Sequence, residues 1–381
     1  MANNPSLKIA LVLDDSLDKT GGVQEYILSI GEWLAGQGHD VHYLVGATTR
    51  TDIPNVHSLS KNIGVRFNGN RMSIPLPTPK RRIKALLEHE QYDVLHVQTP
   101  YSPWLAHRLI VAAPPSTAVV GTFHIVAYSK LVTLATKALA FWTRKSVKRF
   151  DQMMSVSTAA VTYAKQTYGI RSVVVPNAID YYRFHQAAPS VKAKELRIIF
   201  LGRLVERKGC QYLLQAIQKL QSVPGLPLYK VIVGGKGPLD GTLKAYVGSN
   251  HLEDKVSFVG YVSEDEKPSF YASADLSVFP STGGESFGIV LVEAMASGRS
   301  VVLAGKNSGY STVMEPQPEL LFDAKDSQQL ANKLAALLLD AGRRQSLASW
   351  GMEYSRGFDV DQIGKRIVLE YEQALRKRRK L

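Results

Sequence analysis

Two carboxylates, Glu285 and Glu293, stand eight residues apart in the sequence GGESFGIVLVEAMASG, which covers residues 283–298. Ser286 is predicted to cap a helix over the apolar run that follows, and Gly298 suits the left-handed conformation that ends many helices. Along such a helix the two carboxylates would lie about 12 Å apart and point about 80° away from each other. The pattern therefore predicts a loop that opens into a buried helix with two acidic residues.

This spacing suits one elongated ligand with hydroxyl groups at both ends and an anionic group in the middle. The unpaired N–H groups at the start of a helix attract anions. A nucleotide sugar has this layout, with a sugar, a diphosphate and a ribose in a row. The alternative is a capped, buried helix whose Glu293 forms an ion pair with a neighbouring residue. The spacing alone leaves both interpretations open.

A basic pair, Arg203 and Lys208, follows an apolar run in the sequence FLGRLVERKG at 200–209. Ligands of doubly wound sheets bind beyond the carboxyl ends of the strands, and cations placed there hold phosphates. The alternative is an exposed basic turn, an interpretation that suits Arg207. The pair is therefore a candidate for binding an anionic ligand.

Length, charge and cysteine content limit the class of protein. The chain has 381 residues, a formal net charge of +13 and one cysteine, Cys210. The length suits two domains, and the single cysteine suits a reducing cytoplasm and excludes an internal disulfide. No apolar run approaches the roughly 20 residues of a membrane-spanning helix, and the first residues, MANNPSLKIA, lack the layout of a signal peptide. No group of residues has the spacing of metal ligands.

The positive charge lies mainly in the first half of the chain. Residues 1–190 carry 20 Lys and Arg against 12 Asp and Glu, whereas residues 191–381 carry 26 against 21, including the basic tail at 376–380. Such an excess indicates phosphorylated ligands, an anionic membrane or nucleic acid. Nucleic acid is the least favoured of these, because only Trp142 places an aromatic residue beside a basic cluster.

The chain begins with the alternation of a doubly wound fold. KIALVLDD at 8–15 reads as a buried parallel strand, followed by Gly21-Gly22, a helix at 23–35 and a strand at 40–46. The glycine pair lets a phosphate approach the backbone closely. The fingerprint G-x-G-x-x-G is absent, which argues against a nicotinamide-dependent dehydrogenase.

A second alternation of strands and helices begins near residue 197. The polar, proline-bearing stretch at 185–196 is the predicted linker. We predict an α/β protein with Rossmann-like domains at 1–186 and 196–357 and a C-terminal helix with a basic tail at 358–381.

The acidic motif resembles the signature of the retaining glycosyltransferases of family 4. Other segments match in order: GGVQEYIL at 21–28, DVLHVQTP at 93–100, GTFH at 121–124, VPNAID at 175–180 and FLGRLVERKG at 200–209. Together they look most like the bacterial phosphatidylinositol mannosyltransferases, over nearly the whole chain. The resemblance implies the GT-B fold, an α/β architecture of two Rossmann-like doubly wound domains facing a central cleft. It also implies that residues 1–186 form the acceptor and membrane domain, that residues 196–357 form the nucleotide-sugar domain, and that the last helix packs on the first domain.

The resemblance assigns roles around a nucleotide sugar. Arg203 and Lys208 would clamp the diphosphate, Glu285 would bind sugar hydroxyls and Glu293 the ribose. The donor-binding residues it implies are Gly22, Arg203, Lys208, Glu285, Phe287, Gly288, Ile289 and Glu293, and the catalytic residues are His124, Arg203, Lys208 and Glu285. Because fixed cations stabilise the leaving diphosphate, no metal ion or other cofactor is expected.

The acceptor site is implied at Gln24, Asn68 and Arg71. Here the relatives carry Tyr-Asn-Gly where this chain has Phe-Asn-Gly at 67–69, and Pro-Tyr where this chain has an acidic pair that begins at Asp14. The match is therefore weaker on the acceptor side than on the donor side.

The segment PKRRIKALLEHE at 79–90 resembles the membrane-binding helix of the same enzymes. It combines apolar residues (Ile83, Leu86 and Leu87) with a basic face, which consists of Lys80, Arg81, Arg82 and Lys84. Such a helix suits anionic lipid head groups. The alternative is a helix packed on its domain with a solvated basic face.

The sequence thus predicts a retaining enzyme that moves a hexose, mannose from GDP-mannose, onto a phosphatidylinositol-like lipid. Its expected partners are the nucleotide sugar and the anionic surface of the cell membrane, on whose cytoplasmic face it would be peripheral, and not nucleic acid. A different sugar donor, glycolipid or soluble acceptor is the alternative within the class. No carboxylate stands out as a nucleophile, and retention in the family is generally explained by attack on the face that the phosphate leaves.

Overall fold

The structure is a computed structural model that describes residues 6–18, 21–67, 70–126, 130–189 and 194–380, without the side chains of 65–67, 70–73, 130–135 and 138. The chain divides into two compact units. The N-terminal unit comprises Met1–Ala178 together with Val360–Leu381, and the C-terminal unit comprises Ile179–Asp359.

The N-terminal unit is built on a parallel sheet. Its strands are β1 (Lys8–Leu13), β2 (Asp40–Val45), β3 (Val56–Ser58), β6 (Val94–Val97), β7 (Ala118–Phe123), β8 (Gln152–Ser155) and β9 (Val173–Val174), while β4 (Asn62–Phe67) and β5 (Asn70–Pro75) form a separate antiparallel hairpin. The helices between them are α1 (Gly22–Gly36), α2 (Lys80–Glu90), α3 (Leu105–Ala112), α4 (Lys130–Val147) and α5 (Thr158–Tyr168). The strand order is β3-β2-β1-β6-β7-β8-β9.

The C-terminal unit contains a second parallel sheet. Its strands are β10 (Leu196–Leu201), β11 (Tyr229–Gly234), β12 (Val256–Gly260), β13 (Leu276–Phe279), β14 (Val301–Gly305) and β15 (Leu321–Phe322), in the order β12-β11-β10-β13-β14-β15. Its helices are α6 (Tyr181–His185), α7 (Cys210–Leu220), α8 (Asp240–Ser249), α9 (Lys267–Ala272), α10 (Ile289–Ala296), α11 (Ser308–Val313), α12 (Ser327–Leu339) and α13 (Ala341–Ser355).

The strand runs are apolar throughout because both faces of each sheet are covered. In β1, Ile9 and Leu11 face one side and pack with α1, whereas Ala10 and Val12 face the other and pack with α2 and α3. The last helix, α14 (Val360–Arg378), lies on the α1 side and buries Ile363, Ile367 and Tyr371 completely.

The strand orders locate the points where ligands bind in such folds. In the N-terminal sheet β1 pairs with both β2 and β6, and in the C-terminal sheet β10 pairs with both β11 and β13. At each of these positions the connections leave in opposite directions, which opens a crevice beyond the carboxyl ends of the two central strands. Ligand-binding residues are therefore expected directly after β1, β6, β10 and β13.

The chain passes between the units at 178/179 and 359/360 rather than within the predicted linker at 185–196. The reason is that α6 already belongs to the C-terminal unit. Ile179 forms a parallel bridge with Asp359, and the ring of Phe184 lies 6.0 Å from that of Tyr271 on α9. A polar composition at 185–196 therefore marks a surface connection and not the boundary.

Candidate active site

The loop that leads into α10 is shaped by glycine. Gly288 occupies the N-cap position with φ of +121°, and a Cβ there would lie 2.7 Å from Tyr310 Cδ1. The prediction of Ser286 as the cap is therefore wrong, and α10 begins at Ile289 with no side-chain cap. An uncapped helix start leaves its N–H groups available to an anion. Gly298 has φ of +68°, which confirms the left-handed conformation predicted for the other end.

Glu285, in the same loop, is held by three groups that meet one carboxylate oxygen. Its Oε1 lies 2.8 Å from Lys208 Nζ, 2.8 Å from Arg207 Nη1 and 2.8 Å from Ser281 Oγ. Burial alone would raise the pKa of Glu285, but the positive charges of Lys208 and Arg207 outweigh it, so the pKa is lowered. The carboxylate is ionised at neutral pH and fixes both cations.

Arg207 was expected in an exposed turn, and this prediction is wrong. Its side chain is only 15% exposed because the turn folds back toward the end of β13. The Thr282 N–H donates to the Arg207 carbonyl at 2.8 Å, and Ser281 Oγ donates to the same oxygen at 3.1 Å. Arg207 is thus a site residue that sequence reasoning missed, although its position beside Lys208 was the available signal.

Arg203 adds a third cation at this end of the sheet. It follows β10, and partial burial together with the nearby charge of Arg207 lowers the pKa of Arg203. Three cations, Arg203, Arg207 and Lys208, thus follow β10, and Glu285 pairs with two of them, Arg207 and Lys208. The excess of positive charge favours a ligand with more than one negative charge, such as a diphosphate.

A second glycine-rich turn, at 234–237, was also missed. Gly235 has φ of +129°, and a Cβ there would lie 1.9 Å from the Gly202 carbonyl oxygen. The loops after β10 and β11 can therefore pack against each other only through glycine. The sequence GGKG directly after an apolar strand was the signal that could have found this turn.

Glu293 lies on α10 and already has protein partners. Its carboxylate is 6% exposed, Tyr271 Oη donates to Oε2 at 3.1 Å, and Lys267 Nζ is 3.7 Å from Oε1. This arrangement corresponds to the alternative interpretation of an ion pair with a neighbour, so the contact with a ribose stays a prediction. Phe287 is buried, with its ring 5.6 Å from that of Phe358, and thereby anchors the start of α10.

In the N-terminal unit, His124 follows β7 and contacts a residue that follows β6. Its Nε2 lies 2.9 Å from Gln98 Oε1, and its ring meets the Tyr26 ring edge-on with centroids 5.1 Å apart. Burial lowers the pKa of His124 to about 3, so the imidazole is neutral at physiological pH. His124 is therefore suited to hydrogen bonding and not to donating a proton. Gln98, fully buried, was missed by sequence reasoning.

A second buried histidine connects this region to α14. His96 Nδ1 lies 2.7 Å from Tyr371 Oη, and His96 Nε2 lies 2.7 Å from Thr122 Oγ1. Burial, and then the proximity of His124, lower the pKa of His96 to about 3. The neutral His96 ring thus links Tyr371 on α14 to Thr122 on β7, and Thr122 lies two residues before His124.

The other residues predicted in the N-terminal unit are only partly described. Gly22 is exposed, and a Cβ there would meet no described atom within 4 Å, so a ligand can approach its backbone. Gln24 is buried, and its Nε2 donates to the Ser16 carbonyl at 3.3 Å. Asn68 and the side chain of Arg71 lie outside the described residues, so the predicted acceptor site stays a prediction.

Asp14 follows β1 and occupies the crevice beside β6. It is 6% exposed, Ala106 N–H donates to its Oδ1 at 2.7 Å, and Ser102 Oγ donates to its Oδ2. Burial raises the pKa of Asp14 to about 6, although these hydrogen bonds oppose the rise. The carboxylate thereby holds the first turn of α3, at a cost in free energy whenever it is ionised.

We expect Asp14→Asn to change how stability depends on pH. The folded chain holds the Asp14 proton more tightly than the unfolded chain, whose aspartates titrate near pH 4. The free energy of unfolding should therefore fall by about 3 kcal/mol in total as the pH rises from well below about 4 to well above about 6. Asparagine can accept from the Ala106 N–H through its amide oxygen and donate to Ser102 Oγ through its amide nitrogen, without a charge. The free energy of unfolding is measured by urea denaturation near pH 4 and near pH 7.5. Between these two pH values, the difference in free energy of unfolding between the variant and wild type should shift by roughly 2–3 kcal/mol in favour of the variant. Parallel pH profiles of the two proteins would contradict the raised pKa of Asp14.

The predicted membrane helix is packed on the core. Ile83 and Leu87 are 1% exposed and Leu86 is partly buried in the same apolar cluster, so no apolar face of α2 is left for lipid. The basic residues Lys80, Arg81, Arg82 and Lys84 are all exposed. The structure thus shows the packed helix with a solvated basic face that was the alternative, and any contact with lipid through α2 is electrostatic.

One group of side chains within the described residues converges closely enough to hold a metal ion, His42, His57 and Glu90. Sequence spacing did not indicate it. Its members are already satisfied, because Glu90 Oε2 is 2.7 Å from Lys8 Nζ and His42 Nδ1 is 2.9 Å from His57 Nε2. Among the helices that the structure describes, none has the length and apolar content to cross a membrane.

Comparison with solved structures identifies the fold class of the protein. The chain superposes on the Anabaena protein HepE, solved in complex with UDP, with a TM-score of 0.74 at 21% identity, covering 95% of this chain and 99% of that one. Two Rossmann-like units with parallel sheets, one of which carries a cluster of cations and a carboxylate beyond its central strands, make this a GT-B glycosyltransferase fold.

Sequence comparisons give the family. The model described as "Glycosyltransferase Family 4" matches residues 20–183, and "Glycosyl transferases group 1" matches residues 183–352. The chain is 30% identical over 376 residues to the phosphatidyl-myo-inositol mannosyltransferase of Mycolicibacterium smegmatis, covering 96% of this chain and 94% of the relative. It is 28% identical over 384 residues to the protein of that name from Propionibacterium freudenreichii, covering 97% and 95%. The chain belongs to glycosyltransferase family 4 and is a hexosyltransferase.

Proposed function

We propose that this enzyme transfers mannose from GDP-mannose to a phosphatidylinositol-like lipid, with retention of the anomeric configuration, at the cytoplasmic face of the membrane. The observation that carries the donor side is the cluster of Glu285 with Lys208 and Arg207 beyond β10 and β13. The names of the relatives support the choice of mannose and of an inositol lipid.

The cation cluster supplies the chemistry that sugar transfer needs. Breaking the bond between the anomeric carbon and the phosphate leaves GDP with an additional negative charge. Lys208 and Arg203 stabilise that charge as it develops, and such preorganised groups act more strongly in a protein than in water. Arg207 joins them, because Glu285 holds it beside Lys208.

Glu285 has a second role in this proposal. Its three described contacts all reach Oε1, so Oε2 is the oxygen available to accept a hydrogen bond from a sugar hydroxyl. The same carboxylate would thus orient the sugar and hold the cations that receive the leaving diphosphate. The neutral imidazole of His124 would contribute a hydrogen bond to the sugar and take no part in proton transfer.

The assay that tests this function offers the purified enzyme GDP-mannose, UDP-glucose and UDP-N-acetylglucosamine in turn. Acceptors are phosphatidylinositol in detergent micelles, an inositol phosphate and no acceptor. Mass spectrometry should show a hexose added to phosphatidylinositol only with GDP-mannose, and the proton–carbon coupling of the product should identify an α-linkage. Transfer to the soluble inositol phosphate alone, or from a UDP-sugar alone, would replace the proposal with the corresponding alternative.

We expect transfer to survive removal of divalent cations. Arg203, Arg207 and Lys208 neutralise the diphosphate in the way that a metal ion does in other sugar transferases, so EDTA should leave the rate within about twofold of the untreated enzyme. The measurement is initial rate after dialysis against EDTA, with and without added Mg²⁺ or Mn²⁺. A rate that collapses and returns with either ion would show that the cations of the chain are insufficient.

A further inference from the structure

Helix α4 is amphipathic in the reverse of the usual sense. From residue 136 onward, the buried side chains are hydroxylic, with Thr136 5% exposed and Thr143 and Ser146 completely buried, whereas Leu139, Ala140 and Val147 are only partly buried. The largest apolar side chains point outward, with Phe141 63% and Trp142 73% exposed. The buried hydroxyls are satisfied locally, since Thr143 Oγ1 donates to the Leu139 carbonyl at 2.9 Å and Ser146 Oγ donates to the Thr143 carbonyl at 2.8 Å.

This arrangement leaves two adjacent aromatic side chains in water, although the burial of apolar surface is favourable. Single exposed apolar residues are common on protein surfaces, but two adjacent aromatics above a polar inner face are not explained by packing within the domain. The outer face of α4 therefore has the composition of a contact surface.

The charge around Phe141 and Trp142 indicates which partner contacts the outer face of α4. The sequence of α4, KLVTLATKALAFWTRKSV, contains no acidic residue, and neither does that of α3 beside it. Lys137, Arg144, Lys145 and Lys148 are exposed, and the Arg144 guanidinium lies 4.6 Å from the centre of the Phe141 ring. Aromatic rings flanked by long basic side chains match the boundary between lipid head groups and acyl chains, where rings insert and cations bind phosphates.

The position of α4 places it in the same layer as α2. Helices α2 and α3 cover one face of the sheet, and His107 on α3 lies 2.9 Å from Ser146 Oγ on α4. The exposed cations of α2 and the exposed aromatics of α4 thus belong to one side of the N-terminal unit.

We propose that Phe141 and Trp142 insert into the interfacial layer of an anionic bilayer, with Arg144, Lys145 and Lys148 bound to lipid phosphates around them. This inference deepens the proposed membrane partner and rests on it for its biological setting, but it concerns a surface separate from the donor site. Helix α2 then supplies long-range attraction and α4 supplies the apolar anchor that α2 lacks.

The test is binding of Phe141→Ala/Trp142→Ala to vesicles of phosphatidylcholine with about one-third phosphatidylglycerol, without any inositol lipid. We expect the partition coefficient to fall about 100-fold, because each ring contributes about tenfold. The loss should persist in about 0.5 M salt, where electrostatic attraction is screened. The matched control is Leu228→Ala/Leu339→Ala, which removes two exposed apolar side chains, 72% and 58% exposed, from the C-terminal unit and should bind as wild type does.

A second measurement does not depend on the stability of the double variant. Vesicles that contain lipids brominated near the head of the acyl chain should quench the fluorescence of the wild-type protein, and Trp142→Phe should lose most of this quenching. Equal quenching in both proteins, or equal vesicle binding by the double variant, would overturn the proposal. So would loss of a homodimer or of a protein complex in the double variant with unchanged vesicle binding.

The vesicle-binding result can be distinguished from the result of the transfer assay that tests the proposed function. If the double variant loses vesicle binding but still mannosylates phosphatidylinositol in detergent micelles, both proposals stand. If wild type binds vesicles through α4 but transfers mannose to no lipid in any form, the acceptor assignment fails and the membrane surface remains.

Discussion

Lys208→Ala is expected to lower the turnover number about 100- to 1,000-fold, the range seen when one preorganised group is removed from an oxyanion site. Lys208 lies 2.8 Å from Glu285, whose carboxylate also binds Arg207, so the lysine is fixed before any ligand arrives. Its charge therefore needs no reorganisation when the diphosphate leaves. Arg203→Ala should give a loss of the same order, because Arg203 lies at the same end of the sheet.

Two further variants distinguish a chemical role of Lys208 from a structural one. Lys208→Arg keeps the charge but not the point-like geometry, and we expect it to recover part of the lost rate. Lys219→Ala removes an exposed lysine from α7 in the same unit and should leave turnover unchanged. Initial rates at saturating GDP-mannose and thermal melting are measured for each protein. Turnover of Lys208→Ala within threefold of wild type would remove the lysine from the mechanism.

Replacing the four basic residues of α2 together with serine is expected to weaken binding to anionic vesicles several-hundred- to a thousandfold. Each cation near an anionic surface contributes about 1 kcal/mol. The full effect is reduced somewhat because Lys84 lies 3.5 Å from Glu88. Since the apolar side chains of α2 are in the core, the contribution is electrostatic and should shrink steeply with salt, as the Debye length falls from ~10 Å at 0.1 M to ~3 Å at 1 M.

A variant with the same change in net charge is the control for this experiment. Serine at four exposed basic positions of the C-terminal unit removes equal charge from other surfaces; these positions are Lys219, Lys244, Lys325 and Arg343. Sedimentation with vesicles of increasing phosphatidylglycerol content compares the two variants with wild type. If both variants lose binding equally, net charge and not α2 drives the attraction. If neither loses binding, the cations of α2 have no part in it.

Strand and helix alternation could be predicted closely because every central strand is buried on both faces. A continuous apolar run such as KIALVLDD predicts a buried parallel strand, and β1 occupies Lys8–Leu13 within it. The strand order follows from the doubly wound fold that this alternation predicts. That order places the crevices after β1 and β10. The GT-B class, in contrast, came from the resemblance and not from periodicity.

Other features depend on contacts between distant segments, which local patterns do not contain. The interior position of Arg207 requires the loop after β13 to donate hydrogen bonds to the Arg207 carbonyl. Likewise, position 288 must be glycine because Tyr310 fills the space beside it. The apolar residues of α2 formed a pattern that suits lipid and core equally, and only the packing with β1 and α3 decides between them. Gln98 lies within the matched segment DVLHVQTP, but nothing in that segment assigns it a partner, and its contact with His124 requires β6 and β7 to lie side by side.

The packing of α14 also bears on the order in which the chain folds during synthesis. Ile363, Ile367 and Tyr371 complete the core of the N-terminal unit, and Gly364 lets the helix approach Trp33. These residues leave the ribosome only after the whole of Ile179–Asp359 has been made. The C-terminal unit can thus fold first, while one face of the N-terminal sheet is covered by α1 but still lacks α14. A nascent chain of this enzyme should remain bound by chaperones until its last helix emerges.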